Sequence, residues 1–91
     1  MRRNSIRIES KAAVPLGSLI VADIIRMPYG CGTWPAFWTY GTQSTWPAGG
    51  EIDILEGVNL QTHNQYTLHT SSSACKIDPN AVTKSSLMPS K

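Results

Sequence analysis

Short stretches of alternating or β-branched residues, separated by loops that contain glycine and proline, make up most of the sequence. These patterns predict five strands, at residues 5–10, 18–27, 33–40, 51–58 and 63–70. A period of two residues is typical of a strand with one exposed face. The run 18–27 is apolar on both faces, which favours a strand buried on both sides, although a short apolar run can also be helical. No segment has a convincing helical period, and the predicted fold class is therefore all-β.

The number of predicted strands is small for this fold class. A chain of 91 residues forms one domain at most. A jelly roll needs ~8 strands in two packed sheets, and five strands would leave one sheet face uncovered. The sequence therefore predicts part of a larger sandwich or jelly roll. Residues 76–91 have no usable period and are expected to be loosely ordered.

Charge and composition argue against several kinds of partner. Eight Lys and Arg stand against six Asp and Glu, which leaves a net charge of +2. This small and scattered excess is not the basic stripe that nucleic acid or an anionic membrane requires. The longest apolar run, Leu19 to Ala22, is too short to span a membrane. Cys31 and Cys75 are too far apart for a CxxC motif, and they could either form a disulfide or remain thiols.

The most informative pattern is Glu51-x-Asp53-x-x-Glu56. Strict alternation puts Glu51 and Asp53 on one face of a strand and Glu56 on the other. Gly57 follows directly, and a β-bulge near residues 54–56 would return Glu56 to the face of the other two acids. The backbones of the two Glu residues would then be ~13 Å apart. Side chains that lean together would approach the ~5–5.5 Å separation of retaining glycosidases.

Three acids on one face suit the cleavage of a glycosidic bond. Retention of configuration needs one ionised carboxylate that attacks the anomeric carbon and one carboxylic acid that protonates the departing oxygen. Asp53, between the two Glu residues, can help to keep one of them ionised and the other protonated. Three acids on a strand can also face solvent or bind a cation, and the spacing alone leaves that alternative open.

Aromatic residues precede the acids at short range, among them Trp34, Trp38 and Trp46. Indole faces stack against the C–H faces of pyranose rings, although such residues can equally belong to a hydrophobic core. Trp46 lies in a loop with glycine and proline and is expected to be exposed. Acids together with tryptophans in loops point to a carbohydrate substrate.

Three motifs occur in the order found in fungal members of glycoside hydrolase family 16, the laminarinase-like endo-1,3(4)-β-glucanases, which the chain closely resembles. They are YGCGTWPAFW at 29–38, WPAGGEIDILEGVN at 46–59 and NQYTLHT at 64–70. The resemblance implies an incomplete concanavalin-like β-jelly roll. Residues 1–91 would then be part of the catalytic domain, with the acidic strand on the floor of an open glucan-binding cleft.

The resemblance also implies roles for individual residues. Glu51 would be the nucleophile, Glu56 the acid/base and Asp53 the residue that assists them. The expected substrate-binding residues are Trp34, Trp38, Trp46 and His69.

The implied function is retaining endo-hydrolysis of β-1,3-glucan or mixed β-1,3-1,4-glucan by a monomer, with no cofactor or metal ion. The parent enzyme would be secreted, although the basic start Met1-Arg2-Arg3 is not followed by the apolar segment of a signal peptide. Two alternatives remain. A chain that lacks part of its sandwich could be a non-catalytic glucan-binding or remnant module, and a relative in the same family could act as a transglycosylase.

Overall fold

A computed structural model describes residues 4–72. Within them, three strands form one antiparallel sheet: β1 (Ala36–Tyr40), β2 (Glu51–Glu56) and β3 (Thr67–His69). Their order in the sheet is β1-β2-β3, so β2 is the central strand. Residues 4–72 contain no helix, so this part of the chain has no helix that could cross a membrane. An antiparallel sheet without a helix agrees with the predicted all-β class.

The pairing of β1 with β2 contains a β-bulge. Trp38 lies opposite Asp53, but its neighbour Phe37 lies opposite Leu55. Ile54 is therefore an extra residue on β2 without a partner on β1. The bulge predicted near residues 54–56 is confirmed.

The extra residue decides which side chains share a face of the sheet. Residues directly opposite one another in an antiparallel pair point to the same side. Strand β1 is regular, so every second residue of β1 and its partner on β2 belong to one face. This face is called the acid face; it carries Glu51, Asp53, Glu56, Ala36, Trp38, Tyr40, Thr67 and His69.

The opposite face of the sheet is largely apolar and open. It carries Phe37, Thr39, Ile52, Leu55 and Leu68. Ile52 is 48% exposed and Leu68 is 62% exposed. The described residues bury no hydrophobic side chain at all, and Asp53 on the acid face is the buried polar residue among them.

Two of the five predicted strands do not form. Residues 5–10 and 18–27 are not strands, and the interpretation of 18–27 as a buried strand is wrong. Leu19, Val21 and Ile25 are all highly exposed. A strand needs a neighbouring strand for its backbone N–H and C=O groups, and an apolar run needs a covering layer. No described strand pairs with either segment, so their residue patterns alone do not produce a ladder.

The other three predicted strands are present but shorter than their patterns suggested. β1 begins directly after Pro35, which has no N–H to donate, and it is an edge strand of the described sheet. The carbonyl oxygen of Pro35 accepts a hydrogen bond of 3.1 Å from the N–H of Gly57, at the point where β2 ends. The predicted loose order of residues 76–91 and the state of Cys75 lie outside the described residues.

The exposed apolar side chains predict that the chain associates when it is studied alone. Contiguous apolar surface drives association, and residues 4–72 bury no hydrophobic side chain that would stabilise one folded state. Light scattering should detect association, and heating followed by circular dichroism should give a broad transition. A sharp and reversible melt of a monomer would contradict this expectation.

Candidate active site

The three acids of the motif lie on the acid face of the central strand. Glu51 is the first residue of β2 and Glu56 is the last, with Asp53 between them. The Asp53 side chain is 3% exposed and the Glu51 side chain is 15% exposed. Asp53 lies between its cross-strand partners Trp38 and Thr67 on the acid face, and the ring of His69 also contacts its carboxyl group.

His69 contacts two of the acids from the neighbouring strand. It lies opposite Glu51 in the pairing of β2 with β3. Its Nε2 atom is 3.1 Å from Oδ2 of Asp53 and 3.7 Å from Oε1 of Glu51. Glu51, Asp53 and His69 each have one possible metal-ligand atom, and these three atoms all lie within 4.8 Å of one another. This spacing would also suit a metal ion. The hydrogen bond with His69 gives the buried Asp53 carboxylate the polar partner that burial requires.

Each of the two Glu carboxylates accepts a hydrogen bond from a tryptophan indole. Trp46 Nε1 donates to Oε2 of Glu51 at 2.8 Å, and Trp34 Nε1 donates to Oε1 of Glu56 at 2.7 Å. Hydrogen bonds of this length are directional, so each indole holds the carboxyl group that it contacts in one orientation. The Trp46 ring also lies 5.6 Å from the His69 ring, between centroids. Both tryptophans come from loops, and Trp46 is 58% exposed, which confirms the predicted exposure of its loop.

The loop that carries Trp46 is closed at its base by glycines. The N–H of Gly41 donates to the carbonyl oxygen of Gly50 at 2.9 Å. A Cβ atom on Gly41 would lie 2.1 Å from the carbonyl oxygen of Gly49, and one on Gly49 would lie 2.6 Å from that of Gly41. Only glycine allows two backbones to approach this closely. The closed base brings the indole of Trp46 back to Glu51 at the start of β2.

The loop that carries Trp34 is tied to the segment after β2 by Asn59. The side-chain oxygen of Asn59 accepts from the N–H of Gly32 at 2.7 Å. Its backbone N–H donates to Thr33 at 2.9 Å, and its carbonyl oxygen accepts from Gly30 at 3.0 Å. Asn59 has a φ of 55°, in the left-handed region that Asn tolerates better than most residues. Three bonds from one residue therefore fix the turn directly before Trp34.

Trp38 is also on the acid face, but another side chain covers it. Its ring stacks on Tyr40 with 5.2 Å between centroids, and the guanidinium of Arg7 lies 4.6 Å from the Trp38 ring centroid. Arg7 pairs with Glu9, which accepts a hydrogen bond from the Tyr40 hydroxyl at 3.1 Å. Desolvation opposes the charge of Arg7, but the hydrogen bond and the charge of Glu9 outweigh it and raise the pKa of Arg7. Arg7 and Glu9 thus both contact Tyr40, although residues 5–10 do not form the predicted strand.

The sequence interpretation missed Asn64. Its side chain bonds to both sides of the bulge: Nδ2 donates to the carbonyl oxygen of Ile54 at 2.9 Å, and Oδ1 accepts from the N–H of Glu56 at 2.8 Å. Asn is a residue whose short amide often substitutes for a backbone partner. The sequence therefore carried a weak signal of this role, because Asn64 follows a predicted bulge and precedes the next strand. The other histidine, His63, is exposed and contacts Thr62.

Comparison with known proteins identifies the family of the chain that carries these residues. Residues 1–90 match a family model described as "XgeA-like, catalytic GH16 domain". The chain belongs to glycoside hydrolase family 16. The resemblance inferred from the three sequence motifs is therefore confirmed.

Similar curated proteins are fungal. A probable glycosidase of Schizosaccharomyces pombe is 60% identical over 68 residues, which cover 75% of this chain and 16% of that protein. An endo-1,3(4)-β-glucanase of Arthroderma benhamiae is 61% identical over 69 residues, or 75% of this chain and 14% of that protein. The endo-1,3(4)-β-glucanase xgeA of Emericella nidulans is 56% identical over 70 residues, or 76% of this chain and 11% of that protein. The chain thus spans less than a fifth of the length of these relatives. No solved structure matches the chain significantly.

These relatives provide a host in which the family 16 residues can be studied. We define the hybrid enzyme as the Arthroderma benhamiae glucanase in which the matching segment is replaced by the 69 residues of this chain that align with it. Replacement of Gly41 by Ala in the hybrid enzyme should destabilise it by about 1–3 kcal/mol, because the new methyl group overlaps a backbone carbonyl that cannot rotate away. Urea unfolding measures this change.

The control for this prediction is Ser44→Ala in the same loop, where the side chain is exposed. Its expected effect is within about 0.5 kcal/mol. Equal stability of the two variants would contradict the role assigned to the glycine base.

Proposed function

We propose that this chain supplies the catalytic strand of a retaining endo-glycosidase that hydrolyses β-1,3-glucan or mixed β-1,3-1,4-glucan. The observation that carries the proposal is the bulge at Ile54, which brings Glu51, Asp53 and Glu56 to one face. A retaining glycosidase needs two carboxyl groups on one side of the sheet, close enough to act on one sugar. If strict alternation put Glu51 and Glu56 on opposite faces, they could not act on the same sugar.

In the first step, Glu51 attacks the anomeric carbon while Glu56 protonates the departing glycosidic oxygen. The bond from Trp46 reaches Oε2 of Glu51 and orients the attacking carboxylate. The bond from Trp34 reaches Oε1 of Glu56, which leaves Oε2 to carry the transferred proton. The step produces a glycosyl ester on Glu51 and a shortened glucan with a free hydroxyl group.

In the second step, Glu56 acts as a base and removes a proton from the water that attacks the ester. The anomeric carbon is inverted twice, so the product retains its configuration. Glu51 loses its charge in the first step and regains it in the second. A proton on His69 Nε2 can serve Asp53 at 3.1 Å and Glu51 at 3.7 Å, and so can stabilise the cluster as the charge changes.

The substrate class is supported by the tryptophans and by the relatives. Trp34 is 69% exposed and Trp46 is 58% exposed, so both have ring surface available for stacking on a sugar. Two of the relatives carry the name endo-1,3(4)-β-glucanase. Trp38 and His69 complete the proposed substrate-binding set, although Arg7 covers one face of Trp38. A glucan-cleaving enzyme with this ancestry would act as a monomer outside the cell.

The proposed domain is a concanavalin-like jelly roll to which residues 1–91 contribute one part. The apolar face opposite the acids supports this, because a sheet with one apolar face normally packs against a second sheet about 10 Å away. Phe37, Ile52, Leu55 and Leu68 would then belong to the interior of the sandwich. The acid face would remain open as the floor of a cleft.

The Glu51→Gln variant of the hybrid enzyme should release no measurable reducing sugar from laminarin or barley β-glucan, because the amide cannot form the ester. Glu56→Gln should reduce hydrolysis by about 10²–10⁴-fold, the usual contribution of an acid/base group. The control is Asp23→Asn, which removes an exposed carboxylate outside the three strands and should have wild-type activity.

Wild-type rates in Glu51→Gln would refute the proposed nucleophile. A hybrid enzyme that folds, binds laminarin and has no activity even with both Glu residues intact would favour a glucan-binding module. Longer oligosaccharides in place of free reducing ends would identify a transglycosylase. The 91-residue chain alone should be inactive, because the cleft needs the remainder of the sandwich.

A further inference from the structure

Strand β3 is short, and two backbone groups of β2 at the bulge have no partners on it. Strand β3 pairs with β2 only at residues 51–53. Beyond that point, the carbonyl oxygen of Ile54 and the N–H of Glu56 face the connection that leads into β3. Backbone groups at a bulge need such replacement partners, since an unpaired group weakens the ladder and lets it shift.

One side chain supplies both partners. The Asn64 amide donates to the oxygen of Ile54 at 2.9 Å and accepts from the N–H of Glu56 at 2.8 Å. A planar side-chain amide carries the same donor and acceptor as a peptide group, so Asn64 stands in for the missing residue of a longer β3. The next backbone N–H, that of Gln65, then donates to the carbonyl oxygen of Glu56 at 3.1 Å.

We propose that Asn64 is a positioning residue for Glu56: its amide holds the bulge in the form that directs the Glu56 carboxyl group toward the acid face. The inference rests on the proposed function, because it gives Glu56 the role of acid/base. Asn64 need not touch the sugar. It fixes the backbone of Glu56, while Trp34 fixes the far end of the same side chain at 2.7 Å.

These two attachments act on different parts of Glu56. The Trp34 bond is formed by the carboxylate, and it can persist only while the backbone beneath it stays in register. Without Asn64, the bulge can relax toward water or move along β2, and a shift of one residue turns a side chain to the other face. Misplacement of a catalytic group by about 1 Å can cost 10²-fold in rate.

The test uses Asn64→Ala in the hybrid enzyme with two substrates. On laminarin, whose leaving group must be protonated, kcat should fall about 10²-fold while KM changes little. On a dinitrophenyl β-laminaribioside, the C–O bond breaks with the electron pair leaving on the phenolate, and no proton is needed. The burst of dinitrophenolate should therefore keep its wild-type rate.

The matched control is Gln61→Ala. This amide belongs to the same connection, but its side chain bonds only to the nearby carbonyl of His63, at 2.9 Å. The Gln61→Ala variant should hydrolyse both substrates at the wild-type rates. A merely structural role for Asn64 would slow the burst and laminarin hydrolysis by the same factor, and that result would overturn the proposal.

A second variant, Asn64→Asp, has the same shape and covers the case in which the alanine variant does not fold. An ionised Asp can accept from the Glu56 N–H but cannot donate to Ile54, whereas a protonated one can do both. Its activity on laminarin relative to wild type should therefore rise as the pH falls. A ratio that is flat with pH would contradict the proposal.

These variants distinguish a failure of the proposed function from a failure of the positioning role of Asn64. If Glu56→Gln keeps full activity on laminarin, the proposed function fails. If Glu56→Gln loses that activity while Asn64→Ala behaves like Gln61→Ala, only the positioning role fails.

Discussion

A single extra residue in the central strand is the constraint on which the rest of the structure depends. Side chains in a strand alternate between faces, so three acids at positions 51, 53 and 56 cannot share a face in a regular ladder. The extra residue Ile54 shifts the alternation of side chains between the two faces by one position after Asp53. Glu56 then joins the face of Glu51, and one short segment gains two carboxyl groups that can address the same ligand. Bulges commonly re-aim side chains next to active sites in this way.

Three carboxylates on one face also need donors, because like charges repel and the buried Asp53 has lost its water. The structure provides a different side-chain nitrogen as partner for each acid. Asp53 meets His69 from β3, Glu51 meets Trp46 and Glu56 meets Trp34. Both indoles lie on loops whose positions are set by backbone bonds, at the Gly41 base and at Asn59. The two loops therefore orient Glu51 and Glu56 through their indoles, and they also expose the tryptophan rings.

Sequence patterns were sufficient for the acidic strand and insufficient for the N-terminal segment. Parity, together with Gly57, predicted the bulge, and loop composition predicted that Trp46 is exposed. The apolar run 18–27 was misread because its pattern describes a strand only if neighbouring strands and a covering layer are present. Asn64 was missed for a similar reason. Its role depends on where the connection returns in space, and no spacing along the chain reports that.

Whether Glu51 and Glu56 form one catalytic pair can be measured directly by trapping the intermediate. A fluorinated laminaribiosyl donor with a good leaving group forms a slowly hydrolysed ester on the nucleophile of a retaining glycosidase. Mass spectrometry of the hybrid enzyme should find the sugar on Glu51, with Glu56 unmodified. A sugar attached to Glu56 or to any other residue, or catalysis that inverts the anomeric carbon without an adduct, would contradict the arrangement that the bulge creates.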